Sequence, residues 1–174
     1  QQKSTIPVFA VADLSASMRI GGRRAKLAQL ADFVSSLAYS ASRTGDACGL
    51  IACADADRAP LYVAPSTNPA AALDAAETLR RSPPPGRGAD GLLAAAELVG
   101  TRRALVFLLS DFHLPLAQIE RVLASLAYHD VVPVLLWNRS EFELPAWGLA
   151  RVRDPERGRQ RLLVLRPRLV QRIR

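Results

Sequence analysis

Short apolar runs alternate along the chain with stretches whose apolar residues recur every three or four positions. The runs have the length of β-strands and cover residues 6–12, 45–54, 59–65, 104–109 and 131–137. The periodic stretches are typical of amphipathic helices and cover residues 24–42, 66–81, 90–100 and 115–129. This alternation predicts an α/β fold in which parallel strands are joined by crossover helices.

Local signals refine several of these elements. The runs 45–54 and 59–65 follow each other closely enough to pair as a hairpin, and Ser66 or Asn68 is a candidate N-cap before Pro69. Three prolines make residues 82–91 a rigid loop. Apolar alternation on both sides of "DPERG" predicts a hairpin or an edge structure in the tail, with a short helix after Pro167.

The length of 174 residues fits one domain, and we expect residues 1–174 to be a single domain taken from a longer protein. With 49% hydrophobic but only 6% aromatic residues, its core must consist of Ala, Leu and Val. No apolar run approaches the roughly 20 residues of a membrane span, and no secretory signal is evident. We therefore expect a cytoplasmic chain or the cytoplasmic domain of a membrane-anchored protein, which would meet a membrane only through parts outside this sequence.

The formal charge of +7 comes almost entirely from arginine, because Lys3 and Lys26 are the only lysines. Many arginines fall in residues 151–174, where aromatic residues that could stack on bases are missing. A coding preference explains this skew without a function, and we do not expect nucleic acid as a partner. A basic module that binds nucleic acid or a membrane surface stays open as the alternative function.

Cys48 and Cys53 are five residues apart in one apolar run, so an extended strand points them to opposite faces and too far apart for a disulfide. They are predicted to be buried thiols in a reducing compartment. With two histidines that lack paired spacing, they do not indicate a structural zinc site.

Oxygen-bearing side chains follow two of the predicted strands. Asp13, Ser15 and Ser17 come after the first strand, and Asp111 follows the buried run 104–109. If the two strands are neighbours, both carboxylates meet at the sheet edge where ligands of open α/β sheets bind. Such hard oxygen ligands suit Mg²⁺, Mn²⁺ or Ca²⁺. The plainer alternative is a loop whose serines cap the next helix or bond to nearby backbone.

These residues resemble the Asp-x-Ser-x-Ser signature of the von Willebrand factor type A domain and its metal-ion-dependent adhesion site. The wider set "GDACGLIAC", "GRGADGLLAAAE", "LVFLLSDF", "HDVVPVLLW" and "ELPAWGLARVRDPERGR" resembles the bacterial branch encoded beside MoxR-type AAA+ ATPases, known as domain of unknown function fifty-eight. The resemblance runs from about Pro7 to Pro167. It implies a Rossmann-like, doubly wound, mostly parallel sheet with helices on both faces.

The resemblance also implies a divalent cation, Mg²⁺ before Mn²⁺ or Ca²⁺, held by Ser15 and Ser17 and, directly or through water, by Asp13 and Asp111. The family's threonine ligand does not carry over, because Ala89 stands at that position, with Asp90 beside it as a substitute ligand. Three outcomes stay open: Asp90 or water fills the gap, the site is weakened and binds the ion weakly, or the site is vestigial and binds none.

The function implied is that of a non-enzymatic adaptor that binds protein rather than a small-molecule substrate. The expected partner is a MoxR-type AAA+ ATPase or its client, in the assembly or maturation of other proteins. The chain has no Gly-x-Ser-x-Gly elbow and no phosphate loop that would indicate a hydrolase or an ATPase. A metal-dependent hydrolase would need a general base, and the sequence offers no clear candidate.

Overall fold

A five-stranded sheet forms the centre of the fold in the computed structural model, which describes residues 6–19, 25–81, 88–138, 148–153 and 160–165. The strands of this sheet are β1 (Val8–Asp13), β2 (Cys48–Cys53), β3 (Leu61–Ser66), β4 (Leu105–Ser110) and β5 (Asp130–Leu135). Their spatial order is β3-β2-β1-β4-β5, with β3 antiparallel to β2 and every other pair parallel. This confirms the α/β class and the mostly parallel sheet.

Helices cover both faces of the sheet. They are α1 (Ala25–Thr44), α2 (Ala70–Arg81), α3 (Ala95–Val99) and α4 (Leu116–Ser125), with 3-10 turns at Ala16–Arg19 and Asp90–Ala94. Side chains of α1 and α2 share one apolar cluster with Ala10, Leu50 and Leu109. Side chains of α3 and α4 share a second apolar cluster with strand residues that point to the opposite face of the sheet, such as Val11 and Leu108. The strands β1, β2 and β4 are therefore buried on both faces, as their continuous apolar runs predict.

Several boundaries differ from the prediction. The helix predicted over 115–129 ends at Ser125, although Leu126 beyond it is fully buried and continues the apolar pattern. The stretch 90–100 divides into a 3-10 turn and the short α3, and the Gly91 amide at the start of the turn donates to the Ala54 carbonyl. Asp13 is the last residue of β1 and not the first residue beyond it.

Other local predictions are confirmed. The Asn68 side chain accepts a hydrogen bond from the Ala70 amide, which makes Asn68 the N-cap of α2. In the tail, β6 (Gly148–Arg153) and β7 (Gln160–Leu165) pair as an antiparallel hairpin. The predicted loop residues 82–87 and the predicted helix after Pro167 lie outside the described residues. Among the helices that are described, none has the length and apolar character needed to cross a membrane.

Candidate functional site

The candidate site lies where the strand order of the sheet reverses. The chain passes from β1 outward to β2 and β3, and then returns to place β4 on the other side of β1. At such a reversal, loops leave neighbouring parallel strands in opposite directions and leave a crevice at their carboxyl ends. Asp13 ends β1 and Asp111 directly follows β4, so the topology brings the two carboxylates to this crevice.

Short hydrogen bonds hold the buried Asp13 carboxylate at the carboxyl edge of the sheet. Its Oδ1 atom accepts the Ser15 amide at 2.8 Å, and its Oδ2 atom accepts the Ser110 hydroxyl at 2.6 Å. Burial raises the pKa of Asp13, these hydrogen bonds oppose the rise, and the nearby charge of Asp111 adds to it. Asp13 is therefore a fully buried carboxyl whose ionised form depends on donated hydrogen bonds.

The hydroxyls of Ser15 and Ser17 join the loop after β1 to the end of β4. The two Oγ atoms are hydrogen-bonded at 3.0 Å, and Ser17 Oγ donates to Asp111 Oδ1 at 3.0 Å. Neither serine side chain is exposed. The predicted convergence of Asp13, Ser15, Ser17 and Asp111 is thus what the structure shows.

A lysine that the metal-site prediction did not include completes this cluster. Lys26 lies in the first turn of α1, is fully buried, and donates from Nζ to Asp111 Oδ2 at 2.6 Å and to the Ser17 carbonyl at 3.2 Å. One sequence signal could have found it, since it is one of two lysines in a chain whose other basic residues are arginine. We call Asp13, Ser15, Ser17, Lys26, Ser110 and Asp111 the polar cluster.

Ser110 and Phe112 position the carboxylates of the polar cluster. The Ser110 hydroxyl donates to Asp13 and also accepts the Phe112 amide at 2.9 Å. Phe112 has a φ of 53°, a left-handed conformation that is uncommon for a large residue and turns the chain sharply after Asp111. The signal for Ser110 was its place as a polar residue at the end of an apolar strand.

The loop of Ala89 and Asp90 is placed differently from the polar cluster. Ala89 is buried in the apolar cluster that includes Cys53 and Leu92. Asp90 is exposed, and its carboxylate accepts Gln118 Nε2 at 3.0 Å. Among the contacts of the described residues, none joins Asp90 to the polar cluster, so the structure does not bring this predicted ligand to the other four.

The polar cluster as arranged does not fit a divalent cation. An ammonium already lies on Asp111 and on the loop after β1, and a second cation on the same oxygens would be repelled by it. Within the described ranges, no three His, Cys, Asp or Glu side chains come together as a metal-binding group. Whether the chain binds Mg²⁺ in solution stays a prediction.

His113 lies at the rim of the polar cluster with its side chain 43% exposed. Its Nδ1 atom is 3.5 Å from Asp111 Oδ2, and its amide donates to Asp111 Oδ1 at 3.2 Å. The imidazole thus faces a carboxylate that Lys26 already neutralises. This arrangement holds the loop after β4 and gives the rim a polar, accessible side chain.

The cysteines are where the strand periodicity puts them, at the two ends of β2. Both are buried free thiols, and burial raises the pKa of Cys48 to about 11 and that of Cys53 to about 12. The side chains of the arginine-rich tail lie outside the described residues, so the predicted basic face there stays a prediction.

Comparison with known proteins gives a family for this chain. A family model described as "Protein of unknown function DUF58" matches residues 1–173. The chain belongs to the DUF58 family. No curated protein matches it.

Solved structures resemble the DUF58 chain in fold. An aerotolerance-related membrane protein from Bacteroides fragilis is 16% identical, with 97% of this chain and 86% of that one covered and a TM-score of 0.55. The proximal thread matrix protein 1 of the mussel byssus is 14% identical, with a TM-score of 0.49 over 74% of this chain and 36% of that one. The pilus adhesin SpaC from Lactobacillus rhamnosus GG is 18% identical, with a TM-score of 0.48 over 64% and 16%. The chain thus spans less than half the length of the mussel and Lactobacillus proteins. The Bacteroides protein supports the predicted fold class.

Proposed function

We propose that this DUF58 chain is a non-enzymatic protein-interaction domain of the von Willebrand A type. In this proposal it acts as an adaptor for a MoxR-type AAA+ ATPase or its client, in the assembly or maturation of other proteins. The partner docks on the rim that surrounds the polar cluster at the carboxyl edge of the sheet. The rim consists of the exposed residues Ala56, Asp57, Arg58, Asp90, His113 and Leu116.

One observation supports the proposal most directly. The four residues that match the sequence signature lie together at one sheet edge: Asp13, Ser15, Ser17 and Asp111. These polar groups bond to one another and to Lys26, and all are buried. Groups that are satisfied internally are suited to holding loops in place. They are less suited to proton transfer with a substrate, which needs an accessible acid or base.

The rim above the polar cluster has the character of a docking surface. Leu116 is 70% exposed at the start of α4, directly after Pro115. A cleft of about 320 Å³ opens beside them, lined by Asp55, Asp90, Pro115 and Gln118 among others. A cleft at the carboxyl ends of the strands, beside the point where the strand order reverses, is where open α/β sheets bind their ligands.

Co-purification tests the proposal. The chain is expressed with a MoxR-type ATPase, and the complex is captured on the ATPase with and without nucleotide. Replacing His113 and Leu116 with alanine should weaken capture at least about tenfold, as for residues in the centre of an interface.

A matched pair of aspartates separates the rim from the rest of the surface. Asp90 lies on the rim and bonds to Gln118, whereas Asp130 begins β5 at the opposite sheet edge and bonds to Arg103. Asp90→Ala should weaken capture and Asp130→Ala should not. Equal effects of Asp90→Ala and Asp130→Ala on capture would exclude this surface as the docking site. So would capture that is changed neither by Asp90→Ala nor by the replacement of His113 and Leu116.

A further inference from the structure

Lys26 contributes a cation to a site whose other residues predict a metal. Its ammonium bridges the end of β4, through Asp111 Oδ2, and the loop after β1, through the Ser17 carbonyl. A divalent cation held by the serines and Asp111 would join the same two segments. The ammonium and the ion would therefore link the same two segments of the fold.

The position of Lys26 in α1 is one that local preferences disfavour. The first turn of a helix carries unpaired amide groups and the positive end of the helix dipole, so a buried cation is unfavourable there. Its ion pair with the Asp111 carboxylate, which is itself only 3% exposed, provides the compensation. The tertiary contacts, and not the helix, explain a lysine at this position.

The choice of lysine is informative in a chain that otherwise uses arginine for nearly all its positive charges. An ammonium is a compact charge with three donors, whereas a guanidinium is a flat fork that needs more space and two coplanar acceptors. The lysine contacts are a carboxylate oxygen and a backbone carbonyl from different segments. This geometry suits a small, nearly spherical cation.

We infer that Lys26 is a tethered cation that takes the place of the divalent ion, so that this adhesion-type cluster assembles without metal. The inference concerns how the cluster is held and does not depend on which partner the rim binds. Ala89 is consistent with it, because a site occupied by an ammonium does not need a further oxygen ligand from that loop.

Thermal melting with and without Mn²⁺ tests the inference on the whole chain. The wild-type melting temperature should be the same in EDTA and in millimolar Mn²⁺. Lys26→Met should melt lower in EDTA, and Mn²⁺ should raise its melting temperature by about 5 °C or more, since a ligand that binds only the folded state stabilises it.

Two controls show where the Mn²⁺ acts. Lys26→Met/Asp111→Asn lacks a carboxylate ligand and should lose the Mn²⁺ response, and Arg80→Met, which loses a long basic side chain from α2, should never acquire one. Direct Mn²⁺ titration of the wild-type chain by calorimetry keeps the inference falsifiable if Lys26→Met does not fold. Saturable one-site binding by the wild type that Asp111→Asn abolishes would overturn the inference. So would a folded Lys26→Met variant that responds to Mn²⁺ no more than the wild type.

Discussion

Lys26 Nζ lies 2.6 Å from Asp111 Oδ2, although the two residues are 85 positions apart in the chain. Both side chains are buried, so this ion pair connects the start of α1 to the end of β4 inside the protein. Removing one partner leaves an unpaired charge in a site that water does not reach. The pair is therefore predicted to be strongly coupled to the stability of the whole fold.

Lys26→Met should lower the free energy of unfolding by about 3–5 kcal/mol, the usual loss when one member of a buried ion pair is removed. Urea denaturation in EDTA, followed by circular dichroism, measures the change. Arg80→Met is the control, because it breaks the partly exposed pair with Asp32 and should have a much smaller effect. Similar losses of unfolding free energy in the two variants would show that the buried ion pair stabilises the fold no more than the partly exposed one.

Ser110→Ala should destabilise the fold by about 1–3 kcal/mol, because it removes the hydroxyl that donates to Asp13 Oδ2 and accepts the Phe112 amide. Ser125→Ala makes the same chemical change at the end of α4, where the hydroxyl donates to the Val122 carbonyl in a part-buried position. The Ser125 variant should lose less than about 1 kcal/mol. Chemical denaturation of both variants decides whether Ser110 has this role.

Gly91→Ala should destabilise the loop between α2 and α3, because a Cβ atom there would lie 2.6 Å from the Ala54 carbonyl oxygen. The atom it meets is backbone, so the loop and the end of β2 would have to separate, at an expected loss of about 1–3 kcal/mol. Hydrogen exchange of the Gly91 amide, which donates to Ala54, should speed up with the loss. An unchanged exchange rate at this amide in a folded variant would contradict the prediction.

His129 gives the stability a pH dependence. Burial lowers the pKa of His129 from its ordinary value of 6.5, and the charge of Asp130 partly opposes this. The Nδ1 atom is buried and has no hydrogen-bond partner among the residues that the structure describes. The unfolded chain therefore binds a proton near pH 6.5 more readily than the folded chain does. The contribution of His129 to the free energy of unfolding should be fully present above that pH and should be lost as the pH falls toward the lowered pKa.

His129→Leu should remove much of the stability loss between about pH 7.5 and about pH 5.5, since no proton is then taken up at this position. His113→Gln, at the other histidine, leaves His129 in place and should keep the loss. Urea midpoints of the two variants and the wild type across this pH range give the comparison. A loss that persists unchanged in His129→Leu would assign the pH dependence to other groups.

Cys48 and Cys53 should be nearly inert in the folded protein. Their pKa values of about 11 and about 12 leave little thiolate near neutral pH, and both side chains are buried. Reaction with a thiol reagent should be slower in buffer than in denaturant by on the order of a hundredfold or more. Fast labelling of either thiol in buffer would indicate that β2 opens readily.

The sequence pattern was sufficient for elements that are buried on both faces, such as β1 and β4, because both faces of such a strand pack into apolar cores and give a continuous apolar run. It was less reliable at the ends of helices. Leu126 follows the helical period of α4 but is buried in a turn, and the Gly91 amide bonds to Ala54 across the sheet edge. In both cases a tertiary contact, which periodicity does not encode, decides where the regular structure ends.

The sequence by itself identified Asp13, Ser15, Ser17 and Asp111 as members of the candidate site, because the carboxyl ends of neighbouring parallel strands meet at one sheet edge. Only the tertiary structure decided what lies among those oxygens. Lys26 belongs to another element, and nothing in the local pattern of α1 distinguishes it from a solvated lysine. Its role follows from its distance to Asp111 and from burial, because two opposite charges removed from water depend on each other in a way that separate stretches of sequence do not reveal.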